Sequence, residues 1–192
     1  MFLNIKDSNP VLNAIVNRRF DLEPSHGLVS KNLLEILLDS GMRITTSNKN
    51  KLWSFVVIQD DDYIQYLKDY ADAFNRLHSN NNFLDPDQEL GNSQSNSFAS
   101  LIIVYADINQ PFSFNDCWQS IENILLAGSA LGLNLSIDTS LLQVLNATKF
   151  KNDLSVPEEL TVMSAIYVGH HANTYLPASI QKPRIWSWIS KN

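Results

Sequence analysis

Residues Asn115 to Asn134, NDCWQSIENILLAGSALGLN, decide how the rest of the chain is read. Asp116 stands where a helix N-cap belongs, because its carboxylate can accept from the free amides of a first turn. Cys117, Ile121, Ile124, Leu125, Gly128 and Leu131 recur at helical spacing. Trp118, Leu126 and Ala130 fall on the opposite edge, so the segment is apolar nearly all round. A helix of that kind is buried on more than one side. Ala127-Gly128-Ser129-Ala130 is a run of small residues that lets another helix backbone approach closely. The segment is either an ordinary core helix or a central helix that also meets a second subunit.

Outward from that helix, composition sets the bounds. A chain of 192 residues is one domain, or a domain with an appended arm, and is long enough to bury a sizeable core. The net charge is -6 and no Lys/Arg block exists, which argues against nucleic acid or an anionic membrane as partner. The single cysteine, Cys117, has no internal disulfide partner, and its place on an apolar helix face points to packing rather than nucleophilic chemistry. The opening MFLNIKDSNP has no basic start followed by an apolar run, so it does not read as a secretory signal. No run of about 18 apolar residues predicts a transmembrane helix. The expectation is a soluble cytoplasmic protein.

Taken from the start, Asn9 caps a first helix with Pro10 at its first position, and Val11, Leu12, Ile15 and Val16 give it an apolar face. It ends at Asn17-Arg18-Arg19-Phe20. The paired arginines either complement the negative end of the helix dipole or hold a phosphate. Residues 22–27 read as a loop. Ser30 caps a second helix with Leu33, Leu34, Ile36, Leu37 and Leu38 as its buried face and Gly41 as its stop. The polar stretch 43–51 gives way to Trp53–Ile58, which fits a buried strand. Asp60, Asp61 and Asp62 precede the helical pattern Ile64, Leu67, Ala71, Phe74, where acidic side chains favour the helix dipole. Residues 78–97 form a polar, Asn/Ser-rich segment of the kind that serves as a mobile loop or lid. Phe98–Ala106 reads as a second buried strand. Beyond the central helix come an extended piece at 135–139, a short helix at 140–146, a polar loop at 149–159 and a third strand at 160–168. The tail, 173–192, ends in Ile185-Trp186-Ser187-Trp188-Ile189 and must bury those side chains somewhere, which a partner subunit would allow.

The usual catalytic engines are absent. The sequence has no G-x-G-x-x-G, Walker loop, H-E-x-x-H, paired C-x-x-C or G-x-S-x-G. The neighbours His170 and His171 rarely point at one ion. An enzyme built this way borrows its reactive group from a cofactor.

At this point four segments in order resemble the nitroreductase family of flavin-dependent oxidoreductases. Ala14-Ile15-Val16-Asn17-Arg18-Arg19 resembles the end of its first helix. Thr45-Thr46-Ser47-Asn48-Lys49-Asn50-Lys51-Leu52-Trp53-Ser54-Phe55 resembles its polar loop and following strand. Residues 121–133, Ile121 to Leu133, resemble its central helix. Val168-Gly169 followed by Lys182-Pro183-Arg184 is similar to its last core strand and basic tail. The resemblance implies an α+β fold with a central, mostly antiparallel sheet flanked by helices. It places the long central helix at a dimer interface and divides the chain into a domain, 1–172, and a C-terminal arm, 173–192, packed on the partner. It also implies bound FMN. Arg18, Arg19, Lys182 and Arg184 would hold its phosphate, with Phe20 in the same motif. Asn48, Lys49 and Lys51 would contact the ring. Ile137, Asp138 and Thr139 would lie over the flavin and offer a backbone amide to its reactive N5. The implied reaction is hydride transfer from NAD(P)H through the flavin to a quinone or nitroaromatic, by a ping-pong mechanism in a homodimer.

Several positions depart from the family pattern. Phe20 stands where Ser is usual and Leu22 where Arg or Lys is common. Lys49 and Lys51 replace Asn and Gln, Leu52 replaces Pro, and His171 replaces a Pro after the last strand. These departures motivate an alternative: a flavin-free dimer of the same shape that binds a small molecule or a partner.

Overall fold

The computed structural model describes residues 9–18, 24–25, 27–45, 53–78, 100–171, 184 and 186–187. Their elements, in order, are α1 (Pro10–Asn17), β1 (Pro24–Ser25), α2 (Lys31–Gly41), β2 (Trp53–Ile58), α3 (Asp61–His78), β3 (Ser100–Ala106), α4 (Ser113–Ala130), β4 (Leu133–Asp138), α5 (Leu142–Leu145), α6 (Thr148–Asp153) and β5 (Thr161–His171). The expected lid falls at 78–97, and all of it beyond His78, the end of α3, lies outside the described residues, as does most of the tail.

The strands form one antiparallel sheet of five, with β5 between β3 and β4, β2 outside β3, and β1 paired to the end of β5. Strand alternation sends successive side chains to opposite faces, and β3 shows this directly. Ile102, Val104 and Ala106 pack with α2 and α4 through Leu34, Leu37, Cys117, Ile121 and Ile124. Leu101, Ile103 and Tyr105 pack with α3, α5 and α6 through Ile64, Leu67, Leu145 and Phe150. A bulge opposite Val104 and Tyr105 shifts the β5 register, so that Val162 and Ala165 share a face although they are three apart. The result is helices on both faces of one sheet, an α+β arrangement with two cores.

Local signals account for most helix ends. Asn9 Oδ1 accepts from the amides of Val11 at 2.9 Å and Leu12 at 3.4 Å, with Pro10 at the first position. Ser30 Oγ accepts from Leu33 at 3.4 Å, and Asp60 Oδ1 from Tyr63 at 3.0 Å. Gly132, at φ 71, follows α4 in the left-handed conformation that a helix end favours.

Five expectations are corrected. The central helix begins at Ser113 behind Phe112, which sits at φ 66 and makes no side-chain cap. Asp116 therefore lies in the first turn rather than at its cap, and Leu133 and Asn134 already belong to β4. Gly41 is the last residue of α2 rather than a left-handed stop. A Cβ there would stand 2.9 Å from Ile124 and Ser120, so its role is close approach of α2 to α4. The small run in α4 serves two neighbours, only one of them a helix. Gly128 faces Leu135 of β4, and Ser129 Oγ donates to Ala14 O of α1 at 3.0 Å. The polar stretch after 148 contains α6, anchored by buried Phe150 and by Lys151, whose Nζ donates to Glu158 O at 2.7 Å. Finally β2 is an edge strand among the described residues, buried only at Trp53 and Ile58.

The apolar face of α1 is open in the single chain. Ala14 is buried, but Val11 and Ile15 are 63% and 51% exposed. The outer side of α4 is likewise open at Phe114 and Trp118, whose rings contact one another. No described helix is long and apolar enough to cross a membrane.

Candidate functional site

The sheet register brings two of the sequence-derived segments toward one end. Trp53, at the start of β2, lies opposite Ala106, which lies opposite Thr161. Asp138, at the end of β4, lies opposite Ala165 on the same strand β5. The start of β2 and the end of β4 therefore point to the same end of the sheet. The residues after α2 are tied to α4, where Asn123 Nδ2 donates to Arg43 O at 3.3 Å. Ile44 and Ile137 pack on the same core as Trp53.

Arg18 closes α1, where its guanidinium forms a salt bridge with Glu122 of α4. Both side chains are nearly half exposed. The cation is therefore matched by a carboxylate within the chain rather than standing alone for an anion. Arg184 lies elsewhere in partnership: its guanidinium stacks on the Trp186 ring at 4.2 Å from the centroid, a cation–π contact. Arg19, Phe20, Asn48, Lys49, Lys51 and Lys182 lie outside the described residues.

The segment Ile137–Thr139 is built in a particular way. Ile137 turns toward α2 and α4. The Asp138 carboxylate accepts from Ser140 N at 2.7 Å and Ser140 Oγ at 2.6 Å, closing a turn on itself. The Thr139 amide donates to no protein acceptor among the described residues. The segment thus presents backbone, with its one carboxylate drawn back into the turn.

Cys117 is fully buried in the α2/α4 core, and burial pushes its thiol up to about 12. It is an inert packing group rather than a nucleophile. Among the described residues no three His, Cys, Asp or Glu side chains gather as metal ligands.

Glu122 and Lys68 carry charge here that residue-by-residue scanning passes over. Glu122 is an isolated acid in a helix otherwise read for its apolar side chains. Lys68 is a lysine among the aspartates of α3, and its ammonium lies 4.8 Å from the centre of the Tyr167 ring on β5.

Comparison with known proteins bears on all of this. The model of the nitroreductase family matches residues 19–170. Solved structures of similar fold include a nitroreductase with bound FMN from Bacteroides fragilis, 21% identical, aligned over 96% of this chain and 100% of its own, with a TM-score of 0.75. A nitroreductase with bound FMN from Desulfitobacterium hafniense is 20% identical over 92% of this chain and 96% of its own, at 0.74. An FMN-dependent nitroreductase from Clostridium difficile is 17% identical over 92% and 99%, at 0.73. At such identities the likeness is one of fold. No curated protein matches in sequence.

Proposed function

The chain belongs to the nitroreductase family, and from that premise we propose that it is an FMN-dependent oxidoreductase. It takes hydride from NAD(P)H and delivers it to a quinone or nitroaromatic acceptor, in a ping-pong cycle, as a homodimer. The proposal includes a cytoplasmic location, where the reduced nicotinamide donor is found. The observation that carries it is the family match, which runs from the second arginine of the Arg18-Arg19 pair to His170, the last residue but one of β5.

FMN, when bound, supplies the atom that accepts and returns the hydride. The chain's own residues bind and orient. Arg18, Arg19, Lys182 and Arg184 hold the phosphate, beside Phe20. Asn48, Lys49 and Lys51 line the ring, and Ile137, Asp138 and Thr139 meet its edge with backbone. The Thr139 amide, which donates to no acceptor among the described residues, and the withdrawn carboxylate of Asp138 support that last contact, because a ring edge needs a donor there and not a charge. The exposed apolar face of α1 supports the dimer, and the arm 173–192 completes it on the partner.

One observation favours the second reading, a flavin-free dimer of the same shape: Arg18 is already neutralised by Glu122. The test is direct. Purified protein is expected to be yellow with flavin absorbance, and protein stripped of cofactor is expected to quench added FMN fluorescence. A colourless preparation that leaves FMN fluorescence unchanged would overturn the first reading in favour of the second.

A further inference from the structure

On the face of the sheet away from α4 lie two opposite charges, Asp138 and Lys68, that the proposed chemistry has not used. Leu135 and Ile137 join the α2/α4 core, so strand alternation turns Ser136 and Asp138 to the α3 face. Tyr167, 3% exposed, stands directly across from Ser136 and belongs to the α3 core. Asp138, two residues on, is its diagonal neighbour. Lys68 reaches up from the middle of α3 and sets its ammonium 4.8 Å from the Tyr167 ring centre. Burial depresses the Lys68 ammonium, and Asp138 is the foremost of the carboxylates acting against that, ahead of Asp69 and Asp72. The Tyr167 phenol is raised by burial first and then by the Asp138 charge. Helix α3 does not need a half-buried ammonium to hold it down, because Ile64, Leu67 and Ala71 already anchor it in the core.

We propose that Lys68 is a positioning residue that neutralises Asp138 from the far face of the sheet, so that the segment meeting the flavin ring carries no unopposed negative charge. This rests on the FMN site proposed above. A reduced flavin carries more negative charge than the oxidised form, so a bare carboxylate beside the ring destabilises the reduced form selectively. The ammonium under the sheet prevents that, and its contact with the Tyr167 ring fixes its place.

The test is the midpoint potential of FMN-loaded protein, measured against a reference dye. Lys68→Met is expected to weaken binding of reduced FMN relative to oxidised FMN at least tenfold, which is a shift of about 30 mV downward for a two-electron couple. Adding Asp138→Asn in the same chain is expected to restore the potential, because no charge is then left to oppose. Lys68→Arg is expected to leave it near the wild-type value. If Lys68→Met fails to fold, Asp138→Asn alone decides: it removes the carboxylate beside the ring, and the potential must rise. Wild-type protein that binds FMN while these variants leave its potential unchanged overturns this inference and spares the flavin reading. Wild-type protein that binds no FMN removes the flavin reading, and this inference with it.

Discussion

Replacing Glu122 with Gln tests whether Arg18 is a phosphate ligand held in check. The two side chains are 42% and 47% exposed, so their ion pair contributes only about 0.2–1 kcal/mol to stability. Glu122→Gln keeps the shape and is expected to move the unfolding free energy by less than about 1 kcal/mol. Its effect on an incoming phosphate is larger. A carboxylate about 6 Å from a phosphate dianion, in water-like surroundings, repels it by about 1.4 kcal/mol. Removing that repulsion should tighten FMN about tenfold. Riboflavin has the same ring without the phosphate and is the control: its affinity should not change. Arg18→Gln should do the reverse, weakening FMN by about 1.5–3 kcal/mol, the worth of one charge-assisted contact. The assay is fluorescence quenching of each flavin titrated with protein stripped of cofactor, at low and moderate salt. Glu122→Gln that weakens FMN, or that changes riboflavin equally, would refute the reasoning, because Glu122 would then be aiming Arg18 or shaping the ring site instead.

Other outcomes follow from packing and burial. Gly128→Ala puts a Cβ 2.2 Å from Leu135 Cδ1. The strain costs about 1–3 kcal/mol against a helix gain of about 1, so denaturant midpoints should fall, and Leu135→Ala in the same chain should cost at least about 1 kcal/mol less than the two changes summed. Ile15→Asp on the open face of α1 should convert the proposed dimer to monomer in sedimentation, and an unchanged mass would count against that face as the interface. Cys117 keeps its proton in the folded chain up to about 12, whereas an unfolded thiol loses it near 8.5. Stability should therefore fall as pH rises past about 8.5, by up to about 1.4 kcal/mol per pH unit, and between pH 9 and 10 Cys117→Ala should flatten that slope.

Much of the fold was legible where one local cause dominates. The apolar runs of β3 and β5, the helical spacing of α4 and the caps at Asn9 and Ser30 each have such a cause, and each stands in the structure. The misses have long-range causes. Asp116 is a good capping residue, but α4 starts three residues earlier at a left-handed Phe112, a conformation costly for an aromatic side chain and set by its surroundings. Hydrophobicity marks β2 as a strand and says nothing of whether a neighbour covers its outer edge. The polar string at Thr148–Asp153 hides a helix, because Phe150 is its one large apolar anchor. At the candidate site, Arg18 is visible as a cation, but its partner Glu122 is 104 residues away and the two meet only because α1 crosses α4. Lys68 and Asp138 come to the same face of the sheet through Tyr167 by the same kind of tertiary accident of register, which no spacing rule encodes.

The choice left open between a core helix and a subunit-meeting helix has a physical consequence that links these results. One side of α4 is core: Cys117, Ile121 and Ile124 are essentially fully buried. The start of α4, at Phe114 and Trp118, and the open face of α1 remain in water. Covering a large apolar side chain contributes about 1.5–3 kcal/mol, whereas association itself costs about 4–15 kcal/mol. These side chains alone sit near that break-even, so a stable dimer needs further buried surface, which the proposed arm 173–192 would supply. Arg18 lies one turn beyond Ile15 on the same helix. A partner that covers Ile15 also withdraws water from around the Arg18–Glu122 pair and lowers the local dielectric, so each charge there acts more strongly. The Glu122→Gln effect on FMN should then exceed tenfold in the dimer and shrink when Ile15→Asp is added. Measuring FMN affinity for the two single variants and the double variant gives the coupling. Strict additivity, with the dimer demonstrably broken, would mean that the phosphate site lies outside the interface and that one chain binds the cofactor alone.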